Sequence, residues 1–91
     1  MKYLACSINP FSITQSIVAI DTEKPTEQRI LATCNLDALP EILNVASQSF
    51  QAHDINLYGP NEMINEIADN AYEYNSLYCH NKPGITIHLN P

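Results

Sequence analysis

Residues 5–21 read ACSINPFSITQSIVAID, and the fold turns on how they are read. An apolar run stops at Asn9-Pro10, a short polar turn follows, and a run rich in Ile and Val resumes. Pro10 fixes its own φ and pushes Asn9 out of the helical region, so the first run has to end there. The stretch is expected to form two antiparallel strands joined by a bend at Asn9-Pro10-Phe11. Strand one covers residues 2–8 and strand two residues 14–21.

Working outward, Thr22-Glu23-Lys24-Pro25-Thr26 is a polar turn with proline inside it, and residues 28–34 form strand three. Asn35-Leu36-Asp37 opens a helix with Asp37 as N-cap, and Pro40 is tolerated in the first turn. Leu39, Ile42, Leu43, Ala46 and Phe50 recur at helical spacing, so one face of this helix is apolar. Glu41 suits its start and His53 its end. Residues 54–58 form a fourth strand, ended by Gly59-Pro60. The second helix buries Ile64, Ile67, Ala68, Ala71 and Tyr74, with Glu62, Glu66, Asp69 and Glu73 outside. Residues 80–84 form a loop and residues 84–89 a last strand.

The order β-β-β-α-β-α-β predicts an α/β domain of two layers spanning residues 1–91. Strand–helix–strand crossovers are right-handed. The simplest sheet is therefore mixed and five-stranded, ordered 3-2-1-4-5 with strand two antiparallel, and both helices lie on one face. Alternation supports this. One parity holds Leu4, Cys6, Ile8, Ile30, Ala32, Cys34, Ile55, Leu57, Ile85, Ile87 and Leu89, and should meet the helices. The other parity holds Tyr3, Ala5, Ser7, Asn56, Tyr58, Thr86 and His88 and should stay open. Strand two is apolar on both parities.

Composition narrows the function. The chain has 91 residues, 45% of them hydrophobic and 15% charged, as in a folded domain with one modest core. Gly59 and Gly84 are its only glycines, which excludes glycine-rich phosphate loops. The net charge is −6, and the basic residues are Lys2, Lys24, Arg29 and Lys82. Phosphate contacts need clustered Lys and Arg, so direct nucleic-acid binding is not expected. Cys6, Cys34 and Cys79 make an odd count without a CxxC pair, which fits a reducing cytoplasm. The apolar run before Cys6 is too short for a signal core, and no stretch is long enough to span a membrane.

The order of elements, together with SINPFSITQSIVAID, resembles the ribonuclease H-like fold, in particular RuvC-type resolvases. Such families often end strand one in Ile-Asp-Pro-Gly; here the stretch is Ile8-Asn9-Pro10-Phe11. The resemblance implies metal-dependent cleavage of nucleic acid, with acids at the ends of strands one and four. Asn9 stands in the first position, and a neutral amide cannot hold magnesium against phosphate. Around the second position the chain reads Leu57-Tyr58-Gly59-Pro60-Asn61, with Glu62 the nearest acid. The later helix with further acids is not expected before Pro91. The resemblance thus implies a minimal version without catalytic acids.

Two sets of candidate residues follow. Asn9, Asn61, Glu62 and Asn90 should meet where the parallel strands end, the usual ligand crevice of open α/β sheets; asparagines also simply favour turns and strand ends. Tyr3, Ser7, Tyr58 and His88 should form a contact surface on the open face, since tyrosine is enriched at interfaces; a solvated face would look the same. Cys79-His80 has no further ligands nearby, so neither a metal site nor a cofactor is expected. Cys6 and Cys34 read as small core residues.

The expected function is that of a non-catalytic interaction or assembly module with a protein partner, most simply a weak homodimer through the open face or an edge strand. One alternative is a metal-dependent phosphodiesterase using Asp21, Asp54 or Glu62. Another is an acidic inhibitor from a phage or mobile element.

Overall fold

The computed structural model describes residues 1–79 and 84–91. The strands are β1 (Lys2–Ser7), β2 (Gln15–Asp21), β3 (Arg29–Cys34), β4 (Asp54–Tyr58) and β5 (Thr86–Asn90). The helices are α1 (Leu39–Phe50) and α2 (Asn61–Tyr78). The sheet order is β3-β2-β1-β4-β5. β2 runs antiparallel to β1 and β3, while β1, β4 and β5 are parallel. This is the mixed sheet expected from the sequence. The loop expected over residues 80–84 lies, from His80 to Pro83, outside the described residues.

Both helices pack on one face. Leu4, Cys6, Ile17, Ala19, Ile55 and Leu57 from the strands join Leu39, Leu43, Ala46, Ile64, Ile67 and Ala68 from the helices in one buried core. The register settles the ambiguous strand. Leu4 is opposite Ala19 and Ala5 is opposite Val18, so Ile17 and Ala19 face the helices while Val18 and Ile20 face outward.

Strand β3 departs from simple alternation. Ile17 pairs with Ala32, but Val18 pairs with Ile30, leaving Leu31 as an extra residue. A bulge of this kind switches the parity of everything beyond it. Leu31 packs on the core, and Ile30, expected inside, is 61% exposed on the outer face. Arg29 turns to the helix side instead.

The hairpin loop is closed by a buried amide. Gln15 is 2% exposed. Its Nε2 donates to Asn9 O at 2.7 Å, and its Oε1 accepts from the Asn9 N–H at 2.8 Å. The side chain thus imitates one more rung of backbone pairing. Nε2 also reaches Ser12 O at 3.3 Å.

Both helix ends differ in detail from the sequence reading. A 3-10 turn, Leu36–Ala38, leads into α1, so the cap moves back to Asn35, whose Oδ1 accepts from the Ala38 N–H at 2.9 Å. Asp37 does not cap. At the far end Gln51 is left-handed, with φ 57°. The Ala52 N–H donates to Ser47 O and the Gln51 N–H to Gln48 O, which together make a Schellman closure. His53 lies beyond this closure, not in the last turn. Within α1 the apolar stripe has an inversion: Val45 is half-exposed while Asn44 is buried. Asn44 Nδ2 donates to Pro40 O and, across to α2, to Ala71 O, while its Oδ1 accepts from Asn75 Nδ2. It ties the two helices together.

Leu57 is fully buried in the centre of the sheet. Leu57→Ala is expected to destabilise the fold by about 2–5 kcal/mol, combining lost transfer energy with a cavity. Urea denaturation measures it, and an unchanged midpoint would contradict the packing. Gln15→Ala strips the Asn9 N–H of its partner and should cost about 1–3 kcal/mol. Backbone amide exchange at Asn9 should accelerate in the same variant.

Candidate functional site

The parallel strands end together. Ser7 pairs with Tyr58, and Tyr58 with Asn90. The Ile8 N–H donates to Tyr58 O at 2.7 Å, and the Gly59 N–H to Asn90 O at 3.3 Å. Gly59 has φ +149°, and a Cβ there would meet Ile8 Cβ at 3.0 Å. A glycine is needed for the chain to turn this tightly from β4 into α2.

At this edge the asparagines spend their side chains locally. Asn9 Oδ1 accepts from the Phe11 N–H at 3.0 Å, forming an Asx turn. Asn61 Oδ1 accepts from Asn65 Nδ2 at 3.0 Å on the next turn of α2. Asn90 Nδ2 donates to His88 O at 3.2 Å and Leu57 O at 3.4 Å. Glu62 is exposed in the first turn of α2. No hydrogen bond among the described residues joins these four side chains to each other.

On the outer face the register lays out three rows. Ile20, Tyr3, Asp54 and Thr86 form one; Ile30, Val18, Ala5, Asn56 and His88 form the next. Ser7, Tyr58 and Asn90 form the third, toward the strand ends, and Ser16 and Thr33 pair on the same face. Tyr3, Ser7, Tyr58 and His88 therefore lie on this face together. In the first two rows the half toward β3 is apolar and the half toward β5 is polar, while Ser16 and Thr33 make a polar pair nearer the hairpin loop. Asp54 is the only carboxylate in these rows, and no lysine or arginine is among them. His88 Nε2 and Asp54 Oδ1 are 2.9 Å apart. Such a pair orients an imidazole for general-base work when a nucleophile stands beside it. The hydrogen bonds of the His88 side chain among the described residues end at Asp54.

Sequence reasoning passed over two exposed apolar residues. Phe11 is 97% exposed and Ile13 is 89% exposed, both on the β1–β2 loop. Within the loop Ser12 Oγ donates to Thr14 O at 2.8 Å, and Gln15 holds the Asn9 backbone. A phenylalanine directly after Asn-Pro, and an isoleucine between Ser12 and Thr14, were the signals available.

The acids do not converge. Asp54 pairs with Tyr3 and Asp21 with Lys2, at the start of β1, whereas Glu62 follows the opposite end of β4. A five-residue strand separates the two ends by about 13 Å. Among the described residues no three His, Cys, Asp or Glu side chains come together as metal ligands. His80 of the Cys79-His80 pair lies outside the described residues. Cys79 itself is buried, and its Sγ accepts from Gln48 Nε2 at 3.0 Å. It anchors the end of α2 instead of sitting incidentally in a loop. Burial pushes the Cys6 thiol up to about 12, with neighbouring Cys34 a smaller cause. Burial raises Cys34 as well. Thiols held protonated are poor nucleophiles.

No helix among the described residues is long and apolar enough to cross a membrane. Comparison of the chain with protein-family models, with curated proteins and with solved structures finds no match.

The Cys6 shift has a consequence for stability. An unfolded thiol titrates near 9.0 and the folded one near 12, so the folded state keeps a proton that the unfolded state has lost. This contribution is fully present below about pH 9 and disappears as the pH climbs to about 12. Urea midpoints at about pH 8 and about pH 10.5 should fall further apart in the wild type than in Cys6→Ala. Equal falls would mean Cys6 does not titrate as a buried group.

Proposed function

We propose that the chain is a non-catalytic protein-interaction module on a degenerate ribonuclease H-like fold, and that its partner is a second copy of itself. The outer sheet face carries the reading. Tyr3, Ala5, Val18, Ile20 and Ile30 make a continuous apolar area on a chain of net charge −6, in rows where Asp54 is the only carboxylate. Two copies repel through most of their surface and least through this one. The β1–β2 loop adds exposed Phe11 and Ile13 to the apolar side chains in water. Contiguous apolar patches of this kind mark interaction sites.

The sheet edges are poorer routes. Tyr72 Oη accepts from the Ile87 N–H at 2.7 Å and so occupies the outer edge of β5. The bulge at Leu31 interrupts β3. Both devices discourage edge pairing. Five strands of this length present a face of about 24 by 20 Å. That is smaller than the roughly 800 Å² per partner of a standard interface, so the dimer is weak and exchanging. The ribonuclease H-like assignment rests on topology and on Ile8-Asn9-Pro10, with the first metal-ligand position held by an amide.

Sedimentation equilibrium at micromolar concentrations should show reversible dimerisation. Val18→Glu, which places a charge in the middle row, should abolish it, and Tyr58→Ser should weaken it. A clean monomer would overturn the proposal, as would a dimer indifferent to Val18→Glu.

A further inference from the structure

The basic residues are far apart in sequence, at positions 2, 24, 29 and 82. The fold gathers three of them. Lys2 opens β1, Lys24 follows β2 and Arg29 opens β3, and all three line one cleft of about 310 Å³ at the end of α1. Phe50, the last residue of α1, lines it as well. Lys2 Nζ stands 5.1 Å from the ring centroid and Arg29 Cζ 5.8 Å. The negative face of an aromatic ring attracts cations at these distances.

Two carboxylates share the cleft, but neither forms a direct ion pair with this group. Among the described residues none of the three cations has a carboxylate oxygen within 4.0 Å. Asp21 is opposite Lys2 in the β1–β2 register, but its Oδ1 accepts from the Glu23 N–H at 3.0 Å. Glu27 is the second acid in the cleft. The negative end of α1 contributes about half a charge, and its closing carbonyls at Ser47 and Gln48 are already bonded. Three cations thus line one cleft without a direct ion pair, in a protein with few cations to place.

We propose that this cleft binds a phosphate-type oxyanion, carried as a monoester or diphosphate group on a small molecule. A guanidinium offers a planar fork that matches phosphate oxygens, and two ammonium groups supply mobile point charges. A phosphate-type group presents three or more oxygens with more charge, where a single carboxylate presents two oxygens. A cleft of this size suits a small ligand. Asp21 and Glu27 in the cleft and the net charge of −6 oppose a polyanion, which needs a longer run of clustered cations. The cleft sits on the helix side of the sheet, at the start of β1, so it is independent of the outer face and of any dimer formed there.

The test uses the full chain, labelled with nitrogen-15, and inorganic phosphate and pyrophosphate as probes, at ionic strength held constant with sodium chloride. Saturable amide shifts are expected at Lys2, Lys24, Arg29 and Phe50, with pyrophosphate the tighter probe. Lys24→Gln and Arg29→Gln should each weaken pyrophosphate by about tenfold. Lys24 is exposed in a turn, so its variant should keep the wild-type melting temperature and separate lost binding from lost folding. Shifts that are linear or spread over the whole surface would overturn the site. Unchanged affinity in both variants would do the same. Tighter binding of a single-stranded oligonucleotide than of pyrophosphate would overturn the assignment to a small ligand.

Discussion

The buried amide of Gln15 holds the hairpin on which the sheet is assembled. Its two bonds to the Asn9 backbone act as a rung between β1 and β2 where the loop has already begun. An amide can do this because it carries a donor and an acceptor side by side, as a peptide group does. The rung sets the register of β2 on β1, and register sets parity. From it follow Leu4 against Ala19 on the helix side and Ala5 against Val18 on the outer side. The bond also fixes which side chains the loop can hide. Phe11 and Ile13 of that loop are left in water.

The second constraint is the seam between the helices. Asn44 links a carbonyl of its own helix, a carbonyl of α2 and the amide of Asn75. A buried polar group without partners would be costly; with all of its partners it locks one relative position of α1 and α2. Because both helices are committed to one face, the outer face has to be managed by its own side chains. The chain does this unevenly, apolar toward β3 and polar toward β5, with Tyr72 guarding one edge and a bulge the other.

Charge is distributed in the same uneven way. Glu62, Glu66, Asp69 and Glu73 ride outside α2, while Lys2, Lys24 and Arg29 meet around Phe50 at the opposite strand ends from Glu62. Asp21 and Asp54 lie near the start of β1, far from Glu62. Among the described residues the fold therefore keeps Asp21, Asp54 and Glu62 apart and brings Lys2, Lys24 and Arg29 together.

The sequence by itself determined the element order, the mixed sheet and the placing of both helices on one face. These follow from local signals: Pro10 and Pro60 as punctuation, helical spacing from Leu39 to Phe50, and alternation in β1, β4 and β5. It also put Tyr3, Ser7, Tyr58 and His88 on the outer face, because parity is a local property of a regular strand. Only the tertiary structure decided where Ile30, Asn44, Gln15 and the three cations go. A bulge is visible only against a partner strand, so Leu31 gave no local sign that parity would switch. Asn44 is buried because its partners come from α2, and Gln15 because the hairpin folds the Asn9 backbone back onto it. Lys2, Lys24 and Arg29 converge because two antiparallel turns return the chain to the same edge, and no spacing in one dimension records that approach.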